Sequence, residues 1–285
     1  MYLHGGDFFD KPDIADNVAG TIGELYREFP KKVVVIAGNH DIRGNNLSTL
    51  YQTKLGLLGR LGIVKLLSYG EKIIIEKDGL TVQVTGSPSD FGISRNKEMF
   101  ILKEKEADVA VHVAHAMILR SDASFGDYVP LSDIQDETVA DVTFSGDFHL
   151  GFEPLVHKGK YFINPGALVR KYNFLEEINR TPQVCILTVN DDRSIEYELI
   201  PLQCAEKGED VLDRSTLVAK KQYEEKLLQF KEGLLNRESA FSMNLNDVIM
   251  FMAKQEYIEE EILMDIVKRI ESAEKVLKIS EELGG

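Results

Sequence analysis

The chain has 285 residues, 44% of them apolar, and a formal net charge of -14. This composition excludes a fully disordered chain, and no apolar run approaches the roughly 18 residues that a membrane span requires. The first residues lack the basic and apolar regions of a secretory signal. With two cysteines and no signal, the chain is expected in the cytoplasm, without a disulfide framework. The acidic balance predicts no broad basic face for nucleic-acid binding.

Hydrophobic periodicity predicts the first elements. Apolar side chains at helical spacing predict a helix over 14–29, which Pro30 ends. Short β-branched runs predict strands over 32–37, 72–76, 81–85, 109–114 and 141–144. This alternation predicts a mixed β layer with helices outside it.

The second half of the chain changes character. Two hairpins are predicted, one over 152–163 turning at Lys158 and Gly159, and one over 184–200 turning at 190–192. Beyond about residue 213 the periodicity is purely helical. The expected division is therefore a domain over 1–202 and a helical segment over 203–285.

Short polar motifs follow several of the apolar runs. They are G-D-F-F-D at 6–10, G-N-H-D at 38–41, A-H-A at 114–116 and G-D-F-H at 146–149. Open α/β sheets gather their ligands at the carboxyl ends of strands, so these side chains are expected to converge. Carboxylate, amide and imidazole groups without a nearby thiol suit manganese, iron or zinc. The motifs predict a metal centre.

In order and spacing these motifs, with N-P-G at 164–166, resemble those of the calcineurin-like metallophosphoesterase superfamily. G-D-F-F-D-K-P, H-A-M-I-L and I-N-P-G-A-L-V-R are most similar to SbcD-type DNA repair nucleases. The resemblance implies an α/β fold of four layers, with two mixed β-sheets flanked by helices. It also implies a manganese-dependent exo- or endodeoxyribonuclease of DNA repair or recombination. DNA and an SMC-like ATPase of SbcC type would be its partners, with a homodimer also conceivable and no membrane involved.

The resemblance also implies individual roles. Asp7 would bridge two divalent ions, and Asn39 and His115 would bind the second ion, while His149 would bind the first. His40 would act as the general acid, held by Asp41. Manganese is the expected metal, with magnesium or iron as alternatives. Local cations at Arg43, Arg95 and Arg170 would meet the phosphates, although a structural ion pair is an equal interpretation of Arg170.

Two departures qualify the resemblance. The last motif has Asp147 where the family has G-H-x-H, which makes Asp147 a further expected ligand and favours manganese or magnesium over zinc. No D-x-H precedes Gly6, and His4 is out of frame for that motif. The first metal site is therefore expected to be weak or empty, in a chain that is either truncated or degenerate.

Three functions remain open. The first is the DNA nuclease subunit, with its helical segment capping the substrate or docking the ATPase. The second is a phosphatase or phosphodiesterase for a small molecule. The third is a non-catalytic scaffold subunit that has lost its first metal.

Overall fold

The computed structural model describes residues 1–92, 96–120 and 127–213. Residues Met1–Leu212 form one compact unit. The predicted helical segment over 203–285 lies outside the described residues from position 214 onward, and Arg95 also lies outside them.

A three-stranded parallel sheet opens the fold. Strands β1 (Tyr2–His4), β2 (Val33–Val35) and β3 (Val64–Leu66) pair in that order, with helices α1 (Asp16–Arg27) and α2 (Lys54–Arg60) between them in sequence. The predicted helix and strand of this region are thus confirmed. Val33 and Val35 pack in the cluster that contains α2, while Val34 packs in the cluster behind the sheet. The side-chain alternation of β2 therefore joins two layers.

A mixed six-stranded sheet forms the second β layer. Strands β4 to β11 cover Lys72–Lys77, Leu80–Ser87, Val109–Ala114, Ile118–Leu119, Val129–Pro130, Val142–Ser145, Phe152–His157 and Lys160–Asn164. The sheet order is β10-β11-β9-β6-β5-β4, and β7 pairs with β8 separately. The predicted strands and the hairpin turning at Lys158 and Gly159 are confirmed.

The two sheets pack face to face through β-branched side chains, including Val34, Val84, Val111 and Val142. On its other face the larger sheet is covered by 3-10 turns over Lys97–Phe100 and Leu131–Asp133. The α/β class with sheets flanked by helices is confirmed. In the described residues short turns take the place of long helices on that outer face.

The end of the described chain adds a second hairpin. Helix α3 (Leu175–Asn179) precedes strands β12 (Gln183–Val189) and β13 (Ile195–Pro201), and the short helix α4 (Gly208–Val211) follows them. This pairing confirms the hairpin predicted over 184–200, which contributes Cys185 and Leu187 to the core between the sheets.

Within the part of the chain that the structure describes, no helix combines the length and apolarity needed to cross a bilayer.

His112 is a buried histidine on β6 whose ring nitrogens form hydrogen bonds inside the core. The Ser87 hydroxyl donates to the Met99 carbonyl, so it accepts from His112 Nε2 at 3.0 Å. His112 Nδ1 then accepts from the Thr85 hydroxyl at 2.8 Å. Burial lowers the pKa of His112 to about 4, so the ring is neutral at neutral pH.

We predict that His112 makes the fold acid-sensitive. Its pKa rises from about 4 in the folded chain to the ordinary 6.5 on unfolding, so the unfolded chain binds the extra proton. Stability should fall as the pH drops from 6.5 towards 4, by up to about 3 kcal/mol from this residue. Urea unfolding at several pH values should show a smaller slope in this window for His112→Gln than for the parent. The same dependence of the unfolding free energy on pH in the parent and in His112→Gln would contradict the low pKa of His112.

Candidate metal centre

Four parallel strands bring their carboxyl ends to one edge of the sandwich. Strands β1 and β2 are neighbours in one sheet, and β6 and β9 are neighbours in the other. Backbone hydrogen bonds continue past the strand ends, from His115 N to the Ser87 carbonyl at 2.9 Å and from Gly146 N to the Ala114 carbonyl at 2.8 Å. The four polar motifs follow these four strands and therefore meet.

Asp41 fixes two of the loops to each other. Its buried carboxylate accepts hydrogen bonds from the backbone N–H groups of Phe8, Phe9 and Gly38, at 3.0, 3.0 and 2.9 Å. Burial raises the pKa of Asp41, and the three N–H donors oppose that rise. The loop after β1 is thereby held against the loop after β2.

Asp7 stands in a strained and crowded position. Its φ is 52°, in the left-handed region that costs a non-glycine residue energy. Its Oδ1 accepts the backbone N–H of His40 at 2.9 Å. A Cβ on Gly38 would collide with Asp7, and a Cβ on Gly6 would collide with the His115 ring. Both glycines are therefore required by close approach.

His115 directs its Nε2 atom at three oxygen atoms. Its Nδ1 donates to the Gly5 carbonyl at 2.7 Å, so Nε2 is the ring nitrogen that can bind a cation. Nε2 lies 2.9 Å from Asn39 Oδ1, 3.4 Å from Asp7 Oδ1 and 3.8 Å from Asp147 Oδ1. A carbonyl that fixes the tautomer of a ligating histidine is a common feature of metal sites.

This donor set fits a divalent cation. The ligand atoms of Asp7, His115 and Asp147 lie within 4.8 Å of one another. Two carboxylates, an amide oxygen and an imidazole nitrogen converge as electron-pair donors, which is the chemistry of a hard or borderline metal ion. The predicted ligands Asp7, Asn39, His115 and Asp147 are thus brought together.

The motif at 146–149, which contains the expected ligands Asp147 and His149, packs against the turn at 164–166. Asp147 has φ 67°, a second strained carboxylate at this edge. Asn164 Nδ2 donates to the Phe148 carbonyl at 3.1 Å, and its Oδ1 accepts from Gly166 N at 2.9 Å. Asn164 thereby ties the loop that follows Asp147 to the turn at 164–166.

His149 lies beside the cluster with an unused nitrogen. Its Nδ1 is buried without a hydrogen-bond partner among the described residues. Burial lowers the pKa of His149, against the charges of Glu177, Asp147 and Asp7. A neutral imidazole with an unpaired buried nitrogen fits the predicted role as a ligand of a further ion.

The expected partner of His40 requires correction. Asp41 binds backbone N–H groups, while His40 Nδ1 donates to the carbonyl of Asp10 at 2.6 Å. A carbonyl only accepts, so Nδ1 carries a proton and Nε2 is left for the substrate. Asp41 therefore holds the loop in place, and the Asp10 carbonyl orients the His40 ring.

Of the three arginines expected to meet the phosphates, Arg95 lies outside the described residues, and Arg43 and Arg170 contact other groups of the protein. Arg170 donates to the carbonyls of Glu177, Arg180 and Glu206 at 2.7–3.1 Å. Arg43 forms an ion pair with Asp13 at 2.7 Å. The expectation for Arg170 is corrected: its guanidinium holds together the segment around α3.

Two further side chains, His4 and Lys171, lie near the site, which the sequence did not predict. His4 is close enough to His115 and Asp7 to feel their charges, and burial lowers its pKa to about 4. Lys171 pairs with Asp10 at 2.9 Å, which raises the pKa of Lys171, and the charge of Asp7 raises it further. The frame of D-x-H excluded His4 as a replacement ligand, and strand alternation could not have indicated its position, because Tyr2 on the same face of β1 is 44% exposed.

The family model described as calcineurin-like phosphoesterase matches residues 1–151, more than half of the 285. The chain therefore belongs to the calcineurin-like phosphoesterase family. This membership indicates metal-dependent phosphoester hydrolysis, and the convergent donor set is its expected metal centre.

A search of curated proteins gave no match. Similar solved structures are a candidate 5′-nucleotidase of Staphylococcus aureus, Vps29 of Entamoeba histolytica with zinc, and an archaeal phosphodiesterase. Each is 16% identical over 70% of this chain, with TM-scores of 0.39, 0.31 and 0.34. The chain spans 41%, 97% and 81% of their respective lengths.

We predict that Gly38→Ala disrupts the metal centre. The added methyl group would displace Asp7, because Asp7 Oδ1 and N occupy the space beside Gly38. Calorimetric titration with Mn²⁺ should show at least a tenfold loss of affinity, in the range of about 10–100-fold found when support of a metal ligand is removed. The matched control is Gly20→Ala on α1, where nothing lies within 4 Å. Equal affinities of the parent and Gly38→Ala would contradict the placement of Asp7.

Proposed function

We propose that this chain is the nuclease subunit of an SbcCD-like complex and hydrolyses phosphodiester bonds of DNA with divalent metal ions. The observation that carries the proposal is the convergence of Asp7, Asn39, His115 and Asp147 on one point. The choice of DNA rests on the resemblance of the segments at 6–12, 115–119 and 163–170 to SbcD-type nucleases.

The proposed cofactor is a pair of manganese ions. Oxygen ligands dominate the donor set, which favours manganese or magnesium over zinc. Asp7, Asn39, His115 and Asp147 would hold one ion, and His149 with Asp7 would hold the other. Bound ions supply Lewis-acid neutralisation of the charge that develops on the phosphoryl oxygens.

His40 is the proposed general acid. The Asp10 carbonyl holds its Nδ1–H, which orients the ring and leaves Nε2 to deliver a proton to the leaving oxygen. The backbone N–H of His40 contacts Asp7, while its ring contacts Asp10. Proton delivery and support of the metal ligand therefore use different atoms of one residue.

We propose that a partner strengthens the binding of DNA, while DNA at high concentration reaches the metal edge of the chain alone. The net charge of -14 gives weak long-range attraction for phosphates. Arg43 and Arg170 are engaged by the protein itself. An SMC-like ATPase would supply the basic surface and bring the DNA end to the metal edge.

We predict that His40→Gln removes hydrolysis while it preserves metal binding. The loss of a general acid costs about 10²–10⁴-fold in kcat, and the backbone contact to Asp7 remains. The assay is Mn²⁺-dependent release of nucleotides from linear DNA, with a generic aryl phosphodiester as a second substrate. His157→Gln is the matched control, since His157 pairs with Asp136 on the distant hairpin.

Two outcomes would overturn the proposal. Hydrolysis of the aryl phosphodiester without hydrolysis of DNA would support a small-molecule phosphodiesterase. Stoichiometric Mn²⁺ binding without hydrolysis of either substrate would support the non-catalytic scaffold.

A further inference from the structure

Three flat rings form a stack that starts at the metal centre. The rings of His149 and Tyr172 lie 5.7 Å apart with an interplanar angle of 24°, and those of Tyr172 and Phe174 lie 5.6 Å apart at 17°. Near-parallel rings at such distances are in offset stacking contact. The stack therefore leads from a proposed metal ligand to Phe174.

The outer rings of this stack reach the surface. Tyr172 is 48% exposed and Phe174 is 37% exposed. Leu168, Val169 and Leu175 beside them in sequence are also exposed. Exposed aromatic rings that stack on one another beside the metal centre make this surface a candidate for ligand binding.

A cation lies on the metal side of the stack. Lys171 pairs with Asp10, whose carbonyl holds His40, and it also interacts with the charge of Asp7. A phosphate held by cations at the metal centre would lie near this ion pair, while the groups attached to it would extend along the rings. A nucleotide carries both features, since a sugar joins its phosphate to a flat base.

We propose that Tyr172 and Phe174 form a base-stacking shelf, on which the substrate places a nucleobase while its phosphate lies at the metal centre. This inference deepens the proposed function and rests on it. Stacking on an aromatic side chain accepts any base, because every base has a π face. The shelf would therefore orient the strand without selecting a sequence. It would also favour nucleic acid over phosphoesters that carry no ring.

The absence of tryptophan from the chain allows a direct test. Phe174→Trp places a single indole on the shelf, and a base stacked on it will quench its fluorescence. The titrant is a short single-stranded deoxyoligonucleotide with Mn²⁺, and the comparison titrant is an abasic strand of equal length. We expect saturable quenching by the first strand alone.

A matched reporter controls for non-specific quenching. Tyr197→Trp replaces a ring on β13 that is also 37% exposed but packs on Tyr161, outside the stack. It should respond to neither strand. As a second measurement, Phe174→Leu should weaken binding of the base-bearing strand by about 5- to 150-fold and leave binding of the abasic strand unchanged.

The outcomes separate the shelf from the proposed chemistry. Equal quenching by both strands, no quenching, or equal loss of both strands in Phe174→Leu would overturn the shelf. Hydrolysis of DNA by the parent together with any of these results would leave the proposed function intact. Selective quenching without hydrolysis by the parent would support the shelf and overturn the nuclease proposal.

Discussion

The carboxylate of Asp41 is the constraint on which the metal edge depends. It accepts three hydrogen bonds from backbone N–H groups of two loops that are about thirty residues apart in the chain. These bonds place the segment around Asp7 against the segment that carries Asn39 and His40. Because Asp41 is fully buried, its charge is compensated by those donors alone among the described hydrogen bonds, and the loops cannot separate without exposing it.

Parallel strands supply the rest of the geometry. Strands β1, β2, β6 and β9 all end at one edge, so the motifs that follow them need only short loops to meet. Asp7 and Asp147 both adopt positive φ there. Each costs on the order of 1–3 kcal/mol in backbone strain, which the packed sheets beneath them offset. Gathering negative charge in this way is unfavourable for the protein alone and becomes favourable when a cation binds.

Local patterns carry most of what the sequence could predict. The β-branched runs predicted the positions of β2, β6 and β9, and the motifs that follow them identified Asn39, His115 and Asp147 as neighbours. Asp7 was identified by its own motif, which follows a strand that the periodicity did not predict. Spacing also identified both hairpins. These features depend on residues close in sequence or on the general rule that parallel strands share a ligand edge.

Long-range polar contacts could not be predicted in the same way. His40 Nδ1 donates a hydrogen bond to a backbone carbonyl thirty residues earlier, which no side-chain motif encodes. Arg170 looked like a phosphate ligand, yet three carbonyls of the α3 and α4 region use its donors. The ring stack of His149, Tyr172 and Phe174 arises because the turn at 164–166 returns the chain to the metal edge.

The most direct test of the role of Asp41 is the Mn²⁺ affinity of Asp41→Asn, measured by calorimetry beside Asp108→Asn. Asp108 is a carboxylate that accepts from Thr81 at the opposite ends of the strands. An amide at position 41 would place its own N–H groups against a backbone N–H donor, so the two loops would separate. Asp41 itself is not a proposed ligand, so the effect on the metal would pass through the loops. The expected result is a loss of about 10–100-fold for Asp41→Asn, with Asp108→Asn unchanged. Parental affinity in a folded Asp41→Asn would contradict the dependence of the metal centre on this carboxylate.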